Sequence, residues 1–262
     1  MQVTDDEFKE HPVFEELDRY ANFYRQLATS VFSFPTMGTK AICNIDSYVF
    51  SSMQGTIESI KMILLSGRIN DAYALLRKFH DSAIINVYSN LYLKENFSIE
   101  NFVVEKINSW LQGKESLPEY RVMSQYIKAS QTLKPINDLL YRDDRYKCIR
   151  DRCNDHTHYN FFRTLILNDN EVFLKNRAKS LIEFRDDALD LFVMHLGYIF
   201  FLNDHYMMSS DYTDAVECGM APEEGSQYWV DSFIQEIFNE FITPRRPYIT
   251  AAIKEGSAMQ LA

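Results

Sequence analysis

A run of apolar residues at helical spacing in the first third of the chain constrains the fold most strongly. Between residues 70 and 93 the apolar positions recur every three or four residues, the period of one helix face. They are Ala72, Leu75, Leu76, Phe79, Ala83, Val87 and Leu91. Asn70 or Asp71 can cap this helix, and Ser66–Gly67 can end a preceding helix over about residues 44–65. The two segments therefore predict a helical hairpin.

The number of turn residues sets the fold class. The 262 residues include only 8 Gly and 7 Pro, too few for the many tight turns of a β-sandwich or β-barrel. We therefore expect an all-α helical bundle. No linker or internal repeat divides the sequence, so we predict a single domain over residues 1–262. Its core would span about residues 45–205, with additional N-terminal and C-terminal helices and an aromatic-rich C-terminal extension over residues 206–262.

Charge and hydropathy limit the partners and the compartment. With 27 Lys and Arg against 37 Asp and Glu, the formal net charge of −10 argues against a general nucleic-acid coat or a binder of anionic membranes. This net charge is still compatible with a local basic site. The longest apolar stretch, residues 191–202 within a predicted helix over 171–205, is shorter than the ~20 residues of a membrane span. The polar, acidic N-terminus is not a secretory signal, so we expect a cytoplasmic protein without membrane contact.

Residues 142–160 form the densest polar segment of the chain. They include the histidines His156 and His158 and five basic residues, namely Arg142, Arg145, Lys147, Arg150 and Arg152. A helix that stays polar over four turns has either a solvated face or a face directed at a polar ligand. We therefore treat this segment as the candidate site.

Helical geometry sorts these residues by face. At 100° per residue, Arg150, Asn154 and His158 share one stripe, whereas Arg152 and His156 share another. Arg152 and His158 are about 120° apart around the axis. They could converge on one ligand if the helix met its symmetry mate in an isologous dimer, so that each copy contributed one residue.

Two segments resemble the HEPN-like superfamily, in particular bacterial abortive-infection-type proteins. Residues 65–81 resemble its helical hairpin. Residues 152–158 resemble its motif, in which an Arg precedes a His by four to six residues, often with an Asn between them. Arg152, Asn154 and His158 fit this pattern, although Cys153 stands before Asn154 where the commonest form has the Arg. Arg150 and His156 also satisfy the spacing, with Asp151 as the polar residue after the Arg.

The resemblance implies a homodimeric all-α protein with a composite endoribonuclease site that needs no metal and no cofactor. Arg would stabilise the phosphate, because guanidinium is permanently charged and donates bidentate hydrogen bonds. His would move protons, because it titrates near neutrality. Asn154 would orient His158 or bind a phosphate oxygen, and Asp151 would hold an arginine in place. RNA would be bound by further basic residues, namely Arg77, Arg142, Arg145 and Lys147. Such a protein could act as a toxin or a phage-defence effector.

A second hypothesis belongs to another class. The chain could be a non-catalytic helical interaction module, or a subunit of a defence or toxin–antitoxin complex with a protein partner from the same system. Its docking surface would be the aromatic-rich C-terminal third, formed by Tyr198, Phe200, Phe201, Tyr206, Tyr228, Trp229, Phe233 and Phe238. A metal site is not predicted, because His156 and His158 diverge by 200° on one helix.

Overall fold

A computed structural model describes residues 1–34, 36–42 and 44–262, and over these residues it contains helices and no strand. This confirms the all-α prediction. The α-helices are α1 Asp6–Lys9, α2 Val13–Phe32, α3 Thr39–Ile42, α4 Ile45–Leu65, α5 Ile69–Asn96, α6 Glu105–Leu111, α7 Tyr120–Ala129, α8 Lys134–Leu140, α9 Arg145–Thr157, α10 Phe162–Leu165, α11 Arg177–Leu202, α12 Asp211–Glu217, α13 Ser232–Ile237, α14 Thr243–Arg245 and α15 Pro247–Gly256. A π-helical turn, Phe238–Ile242, links α13 to α14.

The turn between α4 and α5 lies where the sequence predicts it. Gly67 has a φ of 77°, and its N–H donates to the carbonyl of Leu64 at 2.8 Å, which ends α4. A Cβ atom at Gly67 would lie 2.3 Å from a methyl carbon of Val3, so both the backbone and the space require glycine. Asn70 lies inside α5, and the N–H of Asp71 donates instead to the Asn168 side chain at 3.2 Å.

The described residues form two compact units. The first unit comprises Met1–Arg25, Phe50–Ser82 and Asp143–Phe192, and the second comprises Gln26–Val49, Ala83–Arg142 and Val193–Ala262. Four of the five unit boundaries fall inside α2, α4, α5 and α11, so these helices have residues in both units, and the fifth falls between α8 and α9. The single domain over residues 1–262, with its core over 45–205, stays a prediction.

Aromatic side chains fill the core of the first unit. Phe192 is fully buried and stacks on Tyr20 with ring centroids 4.2 Å apart. Phe23 and Tyr24 each meet the Phe192 ring edge-on at 5.7 Å. Such pairs add to the apolar area that the rings remove from water, so this cluster fixes the first part of α11 within the unit.

The second unit buries four of the eight aromatic residues that are expected to form a docking surface. Tyr198, Phe200, Tyr206 and Phe238 are all buried. Phe200 packs against Phe238 at 5.6 Å, and the hydroxyl of Tyr198 donates to the Asn137 side chain at 2.6 Å. These rings are core residues because the helices that carry them bury their apolar faces against one another, so the expected surface is not available at those four positions.

The apolar stretch over residues 191–202 is also internal. It forms the C-terminal part of α11, and apart from half-buried Phe201 its side chains are buried. Of the helices described, none has both the length and the apolar character needed to cross a bilayer.

Candidate functional site

The polar segment folds as α9 and turns one stripe of its residues inward. Tyr146, Ile149, Cys153 and His156 are buried, at spacings of three and four residues that define one helix face. The backbone N–H of His158 donates to the Asn154 carbonyl and ends the helix. Candidate site residues therefore divide between a buried face and its solvated flanks.

Arg152 is held by carboxylates of α11, in the first unit. Its Nε donates to Asp187 at 2.7 Å and its Nη1 donates to Glu183 at 2.5 Å. Tyr73 donates a hydrogen bond to the same Asp187 at 3.2 Å. Burial raises the pKa of Asp187 to about 6, against the opposing influence of Arg152 and Tyr73. The Arg152 guanidinium is thus fixed in place, and its side chain keeps partial exposure.

His156 is buried beside this ion pair. Its Nδ1 lies 2.7 Å from the side-chain oxygen of Asn70, and its ring stacks on Tyr73 with centroids 4.0 Å apart. Burial, reinforced by the charge of Arg152, lowers the pKa of His156 to about 4, so the ring is neutral at pH 7. Because an amide oxygen only accepts, Nδ1 carries the proton and Nε2 is left as an acceptor. Nε2 has no hydrogen-bond partner among the described residues and keeps some contact with solvent.

The other candidate catalytic residues occupy different surroundings. Arg150 donates to Asp81 of α5 at 2.6 Å. The side-chain oxygen of Asn154 is buried and has no hydrogen-bond partner within the described part of the chain, and His158 is exposed at the end of α9. Asp151 is exposed and lines the cleft described next.

A polar cleft of about 590 Å³ opens beside α9 in the first unit. It brings together Asp151, Arg152, Asp155 and His156 of α9 with Glu183 of α11. Three further basic residues line it, namely Arg163, Lys175 and Lys179. All three are exposed, and none has an ionic partner among the residues that the structure describes. Four cations and three carboxylates line the cleft, and Arg152 is already paired with carboxylates of α11. The positive charge that could meet an anionic ligand therefore comes from Arg163, Lys175 and Lys179.

The predicted RNA-binding residues lie outside this cleft. Arg145 pairs with Asp143 and Asp190 at 2.8 Å each, and Arg142 lies over the Tyr248 ring at 4.7 Å. Lys147 is exposed and Arg77 is half-buried, and neither lines the cleft. Their role in binding RNA stays a prediction.

Several residues in or beside the cleft were not predicted from the sequence. Glu183 and Asp187 lie four apart on α11, a spacing that puts two carboxylates on one helix face and could have marked them as partners for an arginine. Arg163, Lys175 and Lys179 carry no sequence signal beyond their charge. Asn70 was interpreted as a helix cap, whereas its side chain accepts the hydrogen bond of His156.

The second unit contains a buried polar network next to a cavity of about 440 Å³. The carboxylate of Asp46 accepts hydrogen bonds from Asn86 at 2.8 Å, Asn90 at 2.6 Å and the Tyr206 hydroxyl, and it pairs with Lys40 at 3.1 Å. Although burial disfavours its charge, Lys40 and these hydrogen bonds hold the pKa of Asp46 below its usual value. The donors and acceptors of this network satisfy one another, which is typical of a structural cluster.

Within the described part of the chain, no group of three or more His, Cys, Asp or Glu side chains is arranged to hold a metal ion. Comparisons with protein-family models, with curated proteins and with solved structures give no match to this chain. Functional inference therefore depends on the chemistry of the cleft.

Proposed function

We propose that this chain is a metal-independent endoribonuclease of the HEPN type, which binds a phosphodiester of RNA in the α9 cleft and acts in the cytoplasm. One observation carries the proposal: Arg152 and a neutral His156 line the same cleft as three cations that have no ionic partner among the described residues. A phosphodiester needs such cations nearby, and its cleavage needs a group that accepts a proton.

Each residue has a distinct role in this reaction. His156 Nε2 takes the proton of the ribose 2′-hydroxyl, whose oxygen attacks phosphorus while the bond to the 5′-oxygen breaks. Arg152 stabilises the charge that develops on the phosphate oxygens. The leaving 5′-oxygen takes up a proton, and His158 from a second copy of the chain would supply it, which makes a homodimer part of the proposal. Asp151 and Asp155 complete the polar wall of the cleft.

The low pKa of His156 leaves the ring unprotonated at pH 7, as a base must be, but makes it a weak base in the free protein. A histidine with a pKa of about 4 holds a free lone pair at pH 7. A phosphate close to the ring favours the imidazolium and raises that pKa, so the ring becomes a stronger base once substrate is bound. The pH dependence of cleavage should therefore differ from the titration of the free protein.

The test is cleavage of mixed RNA by the purified protein in the presence of EDTA. We expect fragments that end in a 2′,3′-cyclic phosphate, and a rate loss of about 10²-fold or more for His156→Gln. Glutamine keeps an N–H that can donate to Asn70, and His205→Gln in the second unit is the matched control. The proposal is wrong if the wild-type protein leaves RNA intact, or if the folded His156→Gln and Arg152→Lys variants cleave at the wild-type rate.

A second candidate function is a non-catalytic interaction module, or a subunit of a defence or toxin–antitoxin complex. The ion pairs of Arg152 favour it, because Glu183 and Asp187 already occupy the guanidinium that would bind phosphate. Under this function, Arg152→Lys lowers stability without any effect on RNA. A protein encoded beside this chain should then form a complex with it that survives gel filtration, and RNA should remain intact.

A further inference from the structure

Large aromatic side chains are exposed beside the α9 cleft. Phe162 is 78% exposed, Phe173 58%, Tyr159 51% and Phe161 46%. Phe161 and Phe162 directly precede Arg163 and Thr164, which line the cleft, and Phe173 directly precedes Leu174, which also lines it. Phe161 and Phe162 are thus next along the backbone to cleft residues of α10, and Phe173 to a cleft residue in the connection between α10 and α11. Tyr159 follows the cleft residue His156 by three positions. We call these four aromatic residues the rim of the cleft.

Three cations lie close in sequence to these rings, and one of them contacts a ring. The Arg163 guanidinium lies 5.0 Å from the centroid of the Phe161 ring. Lys175 follows Phe173 by two residues, and Lys179 lies in the first turn of α11. These cations line the cleft without ionic partners among the described residues, so their charge is available to a ligand.

This combination of rings and cations distinguishes the rim from an ordinary apolar patch. The core of a protein–protein interface is depleted of charged residues, lysine among them. A single-stranded nucleic acid needs both features, because its unpaired bases stack on aromatic rings while cations follow its phosphates. The charge pattern therefore favours a nucleic acid strand over a second protein surface.

We propose that Tyr159, Phe161, Phe162 and Phe173 form a stacking surface that binds the unpaired bases next to the phosphodiester held in the cleft. The surface makes the chain specific for single-stranded RNA, because the bases of a duplex are stacked on one another and do not reach protein rings. The inference rests on the proposed function for the identity of the ligand as RNA. It adds the substrate class and the residues that select it.

Binding is measured without cleavage by using RNA that is 2′-O-methylated at every position, which removes the attacking hydroxyl. Fluorescence anisotropy compares a labelled 12-nucleotide single strand with its duplex. We expect the single strand to bind at least about 10-fold more tightly than the duplex, and Phe162→Ala to weaken single-strand binding by about 5- to 100-fold. Phe162→Trp should retain affinity, since it keeps a stacking ring.

The matched control is Phe32→Ala, because Phe32 is an exposed aromatic residue of the second unit, at 64% exposure. Equal affinity for single strand and duplex, or wild-type affinity in Phe162→Ala, would overturn the stacking surface. A change from dimer to monomer in Phe162→Ala, with RNA affinity unchanged, would assign the rings to a protein interface and would also overturn it. If Phe162→Ala loses binding while unmodified RNA stays intact, the stacking surface stands and the ribonuclease proposal alone is wrong.

Discussion

Burial of His156 predicts a loss of stability in acid that can be assigned to one side chain. The pKa of this histidine is about 4 in the folded chain, against 6.5 for an exposed imidazole. Below pH 6.5 the unfolded chain therefore binds a proton that the folded chain accepts only near pH 4. The neutral form of His156 contributes fully to the unfolding free energy above pH 6.5, and this contribution is lost as the pH falls from 6.5 to 4. At pH 5.5 the loss amounts to about 1.4 kcal/mol.

Urea unfolding of the wild-type protein and of His156→Gln at pH 7.5 and pH 5.5 measures this loss. Between the two pH values, the wild-type unfolding free energy should fall by about 1.4 kcal/mol more than that of the variant. Burial also shifts the pKa of His195 down to about 3 and that of Asp187 up to about 6, but both groups are present in the two proteins and their effects cancel. Parallel pH profiles for the two proteins would refute the reasoning, as would an NMR titration that places His156 near pH 6.5 in the folded chain.

Two further substitutions test the buried polar groups, both by urea unfolding at pH 7.5. Arg152→Ala leaves Asp187 buried without its cation and should lower the unfolding free energy by about 3 kcal/mol, whereas Arg152→Ala combined with Asp187→Leu should recover part of that loss. Asp46→Ala deprives Asn86 and Lys40 of their shared acceptor and should cost about 3 to 5 kcal/mol. A change below about 1 kcal/mol in either single variant would show that the contacts around that residue contribute little to folding.

The helices could be predicted closely wherever apolar periodicity was strong. The helices expected over 44–65 and 70–93 are observed as Ile45–Leu65 and Ile69–Asn96. The helix expected over 171–205 begins only at Arg177, because the Asp169 carboxylate accepts the N–H groups of Glu171 and Val172 and holds them in a turn. Local side-chain hydrogen bonds of this kind compete with the helix and leave no trace in the hydrophobic period.

Less of the candidate site could be predicted from the sequence. The spacing of Arg152 and His156 indicated a shared face, and both line the cleft. The partners of that face come from distant segments, with Asn70 on α5 and Asp187 on α11. Sequence alone specifies neither which carboxylate meets a given arginine nor which histidine turns inward, because one residue of helical register decides both. The pairing of Arg152 and the burial of His156 therefore required the structure.

Just after the end of α9, one residue has a strained backbone conformation. Tyr159 has a φ of 51°, in the left-handed region where a side chain with a Cβ atom costs about 1 kcal/mol relative to glycine. Its half-exposed ring makes no aromatic contact with the described residues. Glycine alone would adopt this backbone without that cost. Under the proposed stacking surface, the contact of an RNA base with the Tyr159 ring would offset it.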